Sequence, residues 1–161
     1  MLSLFKITIG AVMTQLPDEV SEDEKLARVM CGSSRLRNNR NIFYLDQNTG
    51  KYVVKVGAFI DTRNPMQLSV NRISTLSLDE AHNLGVLHRD EYQRGSTYHG
   101  FAQVIARVCF ELNCQVQKDD YGGTKPYHAN IIYPVGQKED SQEIAVQLAF
   151  HAEFIHYIPL A

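Results

Sequence analysis

The chain predicts an α+β fold, a mixed or mainly antiparallel sheet with about three helices in a single domain over 1–161, on three observations. Its strand-like segments follow one another in hairpin order instead of alternating regularly with helices. Two Ser-x-x-Glu spacings, at Ser21 and Ser77, mark helix starts. The 161 residues, 44% apolar and 21% charged, suit one globular core. No repeat, low-complexity tract or linker divides the chain.

Phe5, Ile7 and Ile9 alternate with Lys6 and Thr8, the period-2 pattern of a first strand. Ser21-Glu22-Asp23-Glu24 then predicts a helix over 22–30. Leu26, Val29 and Met30 would form its apolar stripe, and Gly32 would end it. The polar stretch 33–40 reads as a loop. Segments 41–45 and 51–60, rich in β-branched and aromatic residues, flank Asp46-Gln47-Asn48-Thr49-Gly50, and this predicts a β-hairpin. A turn over 61–65 leads to a strand over 67–73.

Ser77-Leu78-Asp79-Glu80 caps a second helix to about residue 93, with Ala81, Leu84 and Leu87 at helical intervals. A strand over 101–107 runs into a short helix over 108–112. Strands over 115–118 and 129–133 enclose an acidic, glycine-containing loop. A closing helix is predicted over 142–156, with Ile144, Leu148, Ala152 and Ile155 on one side and Pro159 beyond it.

A net charge of -2 provides no global field for nucleic acid or an anionic membrane, so nucleic-acid binding is not expected. No run approaches the roughly 18 apolar residues of a spanning helix, and the N-terminal stretch, with Lys6 in its middle, lacks the form of a signal peptide. Cys31, Cys109 and Cys114 are odd in number and sit in apolar or helical surroundings, which suggests reduced thiols and a cytoplasmic location.

The six histidines are the first candidates for chemistry. His151 and His156 lie roughly 140° apart around a helix, and His82 and His88 are no better placed to share a metal. His88, His99 and His128 converge only if the tertiary fold brings them together. Cys109 and Cys114 lack a zinc spacing and read as core. No metal or cofactor is expected. Tyr121-Gly122-Gly123-Thr124-Lys125 holds the residue types of a phosphate cradle without the P-loop spacing, and reads as a turn. Asp46, Asn48 and Gly50 echo a calcium loop but lack its downstream glutamate. Arg35, Arg37 and Arg40 beside Phe43 and Tyr44 read as a solvated face.

A dispersed polar group remains. Arg72, His99 and His128 are the candidate catalytic residues, with Arg94, Tyr98 and Tyr127 as candidate binding residues and Ser96 nearby. If the strand ends meet, Arg and His make an anion-binding or acid–base pocket that handles a nucleotide or other phosphate compound.

Ala58-Phe59 followed by Leu68-Ser69-Val70, and Pro126-Tyr127-His128-Ala129 followed by an apolar strand, resemble a pattern of small bacterial proteins of uncharacterised function. Here Asp61 to Pro65 stands where that pattern is richer in proline and lysine. The resemblance implies a companion of larger proteins, as in defence or toxin–antitoxin systems, and no catalytic residue. Two functional expectations follow. One is an accessory protein that docks on a protein partner or forms a homo-oligomer, through Phe150, Phe154 and Tyr157 of the closing helix. The other is a small enzyme with the Arg/His pocket.

Overall fold

The computed structural model describes residues 15–134 and 138–159. The expected strand around Phe5 lies outside them. The order of elements is β1 (Lys25–Gly32), β2 (Phe43–Leu45), β3 (Tyr52–Val54), β4 (Gln67–Arg72), α1 (Leu78–Tyr92), β5 (Thr97–Ile105), α2 (Ala106–Glu111), β6 (Gln115–Lys118), β7 (His128–Ile132), α3 (Lys138–His151) and β8 (Glu153–His156). Short 3₁₀ turns occupy Leu36–Asn39 and Val56–Phe59. Six strands form one antiparallel sheet in the order β6-β7-β4-β1-β5-β8, and β2 and β3 form a separate hairpin. The fold is α+β, as predicted. No helix among the described residues is long and apolar enough to cross a membrane.

Most elements lie where local chemistry puts them. The β2–β3 hairpin turns at Asp46, whose carboxylate accepts from the Asn48 N–H at 2.9 Å while its carbonyl accepts from Gly50 at 2.8 Å. The second arm is shorter than expected, because 56–59 coils into the 3₁₀ turn that buries Ala58 and Phe59. Helix α1 has the full capping box: the Ser77 hydroxyl accepts from the Glu80 N–H, and the Glu80 carboxylate accepts from the Ser77 N–H. β5 starts at Thr97 and α2 at Ala106, each earlier than expected. β6 and β7 fall almost on their predicted segments, and β4 ends one residue early.

Two predicted helices are corrected. Segment 22–30 is not a helix, since 25–32 is β1, an interior strand of the sheet. Glu24 does reach back to the Ser21 N–H, at 3.2 Å, but the Ser21 carbonyl accepts the Glu24 N–H in a tight turn and the chain leaves extended. Both faces of β1 are covered, so its apolar residues do not alternate cleanly, and such a run imitates a helical stripe. Gly32, expected to stop that helix, instead ends the strand against the Asn39 side chain. The closing helix stops at His151 instead of 156. Ala152 makes the turn, and Glu153–His156 adds to the edge of β5 as β8, where Phe154 and Ile155 are good strand formers.

The sheet has two faces of different character. One packs on α2, α3 and the Val56–Phe59 turn, with Leu26, Leu68, Val104, Ile131, Phe59 and Leu148 in its core. Complete burial of side chains such as Phe59 contributes about 2–3 kcal/mol each. On the other face, α1 covers β1 and β5, where Ala27, Phe101 and Ala81 form a small core. Gly85 lets α1 approach closely, since a Cβ there would overlap the Tyr98 ring. Gly100, at φ +136°, sits where a Cβ would strike the Ile155 carbonyl, and so permits β8 to dock.

β1 and β4 pair through only two register positions, Leu26 with Arg72 and Ala27 with Asn71. Beyond them the strands diverge. The Arg28 side chain bridges the split, its Nη1 donating to the Ser69 carbonyl at 3.1 Å and its Nε to the Ala58 carbonyl at 3.1 Å.

Candidate functional site

The fold disperses the predicted pocket. Arg72 is 1% exposed and faces the α3 side of the sheet. Its Nε and Nη2 donate to the two carboxylate oxygens of Glu24 at 2.8 and 2.7 Å, and Nη1 donates to the Pro17 carbonyl at 2.6 Å. It clamps the incoming segment 17–24 to the sheet and has little left to offer a ligand. Its partner Glu24 reflects the pairing. Burial raises that carboxyl's pKa, but the bonds from Arg72 and Ser21 outweigh burial and hold it below its ordinary value.

His99 is buried on β5, its Nε2–H donating to the Ser33 carbonyl at 2.8 Å and its ring 5.0 Å from Phe43. It ties β5 to the segment before β2. Tyr98 is buried too, its hydroxyl 2.9 Å from Nδ1 of His82 beneath α1. Arg94 lies exposed past the end of α1 and donates to the Asp90 carbonyl at 2.9 Å, and the Ser96 hydroxyl donates to Gln93. The half-buried Tyr127 accepts the Arg72 N–H at 2.7 Å through its carbonyl. His128 pairs in register with Asn71, which places its side chain on the face opposite to Arg72. Arg72, His99 and His128 therefore do not form one pocket. Nor do Phe150, Phe154 and Tyr157 form one contact face: Phe150 is 79% exposed, Phe154 packs on Phe43 and Tyr52, and Tyr157 packs on His82 and Tyr98.

His128 instead meets a different set. On the face where α1 covers β1 and β5, the half-sheet β4-β7-β6 presents Ser69, Asn71, Gln117, His128 and Asn130, and the C-terminal part of α1 and the 119–128 loop border it. The loop is compact. The Asp120 carbonyl accepts from Gly123 and Lys125, the Thr124 hydroxyl donates to Tyr121, and Tyr121 takes a left-handed φ of +50°, uncommon outside glycine. This fold of the loop brings Lys125 to α1, where its ammonium bonds Glu91 at 3.2 Å and the Tyr92 hydroxyl, and lies 4.2 and 5.0 Å from the rings of Tyr92 and Tyr121. Tyr121 stands 5.1 Å from His128, and His88 stands 5.1 Å from Tyr92. His128 Nδ1–H donates to the Asp119 carbonyl at 2.7 Å, and the Asp119 carboxylate accepts from Asn130 at 3.0 Å.

The electrostatics of this cluster disfavour charged imidazoles. Burial, and then the charges of Arg28, Lys125 and His128, push the His88 imidazole down to about 4, against only Glu91 in the other direction. Burial likewise lowers His128, against the bond to the Asp119 carbonyl and the charge of the Asp119 carboxylate. Burial opposes the charge on Lys125, yet its bonds to Tyr92 and Glu91 prevail and raise it. Arg28, lowered by burial, makes no ion pair among the described residues and is neutralised only by carbonyl dipoles and a more distant Asp61. Lys125 and the two imidazoles thus share one face with two carboxylates, Glu91, bound to Lys125 at the rim, and Asp119, 4.0 Å from His128 Nδ1, while Arg28 starts from the opposite face and bonds the Ala58 carbonyl there.

A cleft of about 640 Å³ lies next to this cluster along β6 and the start of the loop. Asp18, Asp119 and Asp120 line it, and its Lys118 is already paired with Asp18 and Asp120. An anion gains nothing there. Among the described residues no group of three or more His, Cys, Asp or Glu side chains is arranged to hold a metal.

Three of these residues carried signals in the sequence. His88 and His128 stood among the histidines that only tertiary folding could unite, and Lys125 ended the stretch with phosphate-cradle residue types. Arg28 and Asn130 did not, because a helix was expected around the first and an ordinary strand around the second. No protein-family model, curated protein or solved structure matches the chain.

Proposed function

We propose that the chain binds a small phosphate-bearing ligand at the cluster of His88, Lys125 and His128. One observation carries the reading: the Lys125 ammonium and the His88 and His128 imidazoles gather around the rings of Tyr92 and Tyr121. An anion placed among them pairs with Lys125 and favours protonation of the imidazoles, and a doubly charged phosphate does so most. Lys125, half-buried and tethered to Glu91 and Tyr92 at the edge, is the cation free to exchange partners.

Titration with inorganic phosphate, followed by the histidine signals in NMR, tests the reading. Binding should raise the pKa of His88 and shift both His88 and His128. Lys125→Ala should weaken binding about tenfold without unfolding the chain, the loss of one charge-assisted bond. If millimolar phosphate leaves the histidine signals and the melting temperature unchanged, the reading fails.

A second reading, an accessory protein docked on a protein partner, draws on Phe150 at 79% exposure and Val146 one turn before it at 47%. Phe150→Asp should then abolish a stoichiometric complex seen by native mass spectrometry. A chain purified natively without any retained partner counts against it.

A further inference from the structure

We infer that the ligand of this site is a nucleotide instead of a bare anion, and that Asn130 determines this by accepting a hydrogen bond from its sugar; the inference rests on the phosphate-binding reading above. Asn130 lies on β7 two residues beyond His128, on the same face, and opposite Ser69, whose carbonyl holds Arg28. It is 6% exposed. Its Nδ2 donates to the Asp119 carboxylate at 3.0 Å, and that bond fixes which way the amide faces, since a flip would set oxygen against oxygen. The Oδ1 atom that remains is buried and has no hydrogen-bond partner among the described residues. A buried acceptor in this condition costs about 1–3 kcal/mol, which a ligand donor returns on binding. Phosphate at neutral pH brings few donors, whereas ribose brings hydroxyl groups within reach of its own phosphate.

The rim supplies the third part of a nucleotide site. Tyr121 is 54% exposed, close to Lys125 and to His128, and offers a ring face on which a base stacks. When Lys125 leaves Glu91 and Tyr92 for the phosphate, the tie between the 119–128 loop and α1 is released. Phosphate on the basic groups, ribose at Asn130 and base on Tyr121 would be read by three separate devices.

Calorimetric titration of the full chain with inorganic phosphate, ribose 5-phosphate and adenosine monophosphate separates the two levels of the inference. Ribose 5-phosphate should bind about tenfold more tightly than phosphate, the value of one buried acceptor satisfied, and adenosine monophosphate more tightly still. Asn130→Leu should erase the advantage of the sugar compounds over phosphate, with Asn130→Ala as the alternative if the leucine variant does not fold. Phosphate binding without any preference for the sugar compounds, or a preference that survives in the variants, overturns the role of Asn130 and leaves the anion site standing; the latter result would mean that a water satisfies Oδ1. If none of the three compounds binds, the anion site falls as well. The comparison of ligands on the native chain decides the matter even if neither variant folds.

Discussion

Glu24→Gln should cost about 3–5 kcal/mol of folding stability, because it leaves the guanidinium of Arg72 buried and without its counter-charge. Arg72 is 1% exposed and Glu24 16%, so water does little to screen the pair. The two bonds between them, at 2.7 and 2.8 Å, are a bidentate set that a carboxamide cannot reproduce, since its Nε2 would present hydrogens to hydrogens. Arg72→Met should cost less, as the partly exposed Glu24 is free to turn to water. Urea denaturation of the three proteins measures both differences. The dependence on pH adds a second check. The Glu24 carboxyl lies below its ordinary value of 4.5 in the folded state, so its contribution is complete above that value and is lost as the pH falls through the lower folded value. The gap between native chain and Glu24→Gln must therefore narrow in acid. A Glu24→Gln variant within 0.5 kcal/mol of the native chain at pH 7, the range of an ordinary surface change, or a gap that stays constant into acid, would refute the clamp.

Gly85→Ala gains helix propensity of about 1 kcal/mol but forces a methyl into the Tyr98 ring, which is buried and bonded to His82, so a net loss of about 1–2 kcal/mol is expected in urea denaturation; equal or greater stability would show that α1 is free to shift. The thiols should react unequally with a disulfide reagent at neutral pH. Burial pushes Cys109 up to about 12 and Cys114 up to about 11, and both are enclosed, whereas Cys31 is only half-buried, so three equally fast reactions in the native state would contradict the packing around α2. In the absence of ligand the His88 signals should stay those of a neutral imidazole down to a pH of about 4, and Lys125→Ala should raise that midpoint by removing a nearby positive charge; protonation near the ordinary histidine value of 6.5 would show that the cluster is more open than described.

The elements legible in the sequence are those decided within a few residues. The Ser77 box, the Asp46–Gly50 turn, and the strands around Gln115 and Ala129 carry their own instructions, in a cap, an Asx bond or a short β-branched run. β1 and β8 do not. Lys25–Gly32 is a strand because β5 and β4 offer ladder partners from more than 40 residues away, and the local Ser21 and Glu24 pattern that suggested a helix serves a turn and an ion pair with Arg72 instead. Phe154 and Ile155 continue a helical spacing until the free edge of β5 takes them. The same distance hides the site. Arg28 and Lys125 are 97 residues apart in a chain where each looks like an ordinary surface cation, and only the split in the sheet and the returning loop bring their charges near His88.

The two-position pairing of β1 with β4 gives the molecule a line of low cooperativity. β1 is matched to β5 at eight positions, and β4 to β7 at five, so each half of the sheet is far better bonded within itself than to the other. Native-state amide exchange should resolve β1-β5-β8 and β4-β7-β6 as separate opening units, held together by Arg28 and by the Glu24–Arg72 pair. A ligand that ties His88, on the helix packed against one half, to His128 on the other would then merge them, and slow exchange in strands that it does not touch.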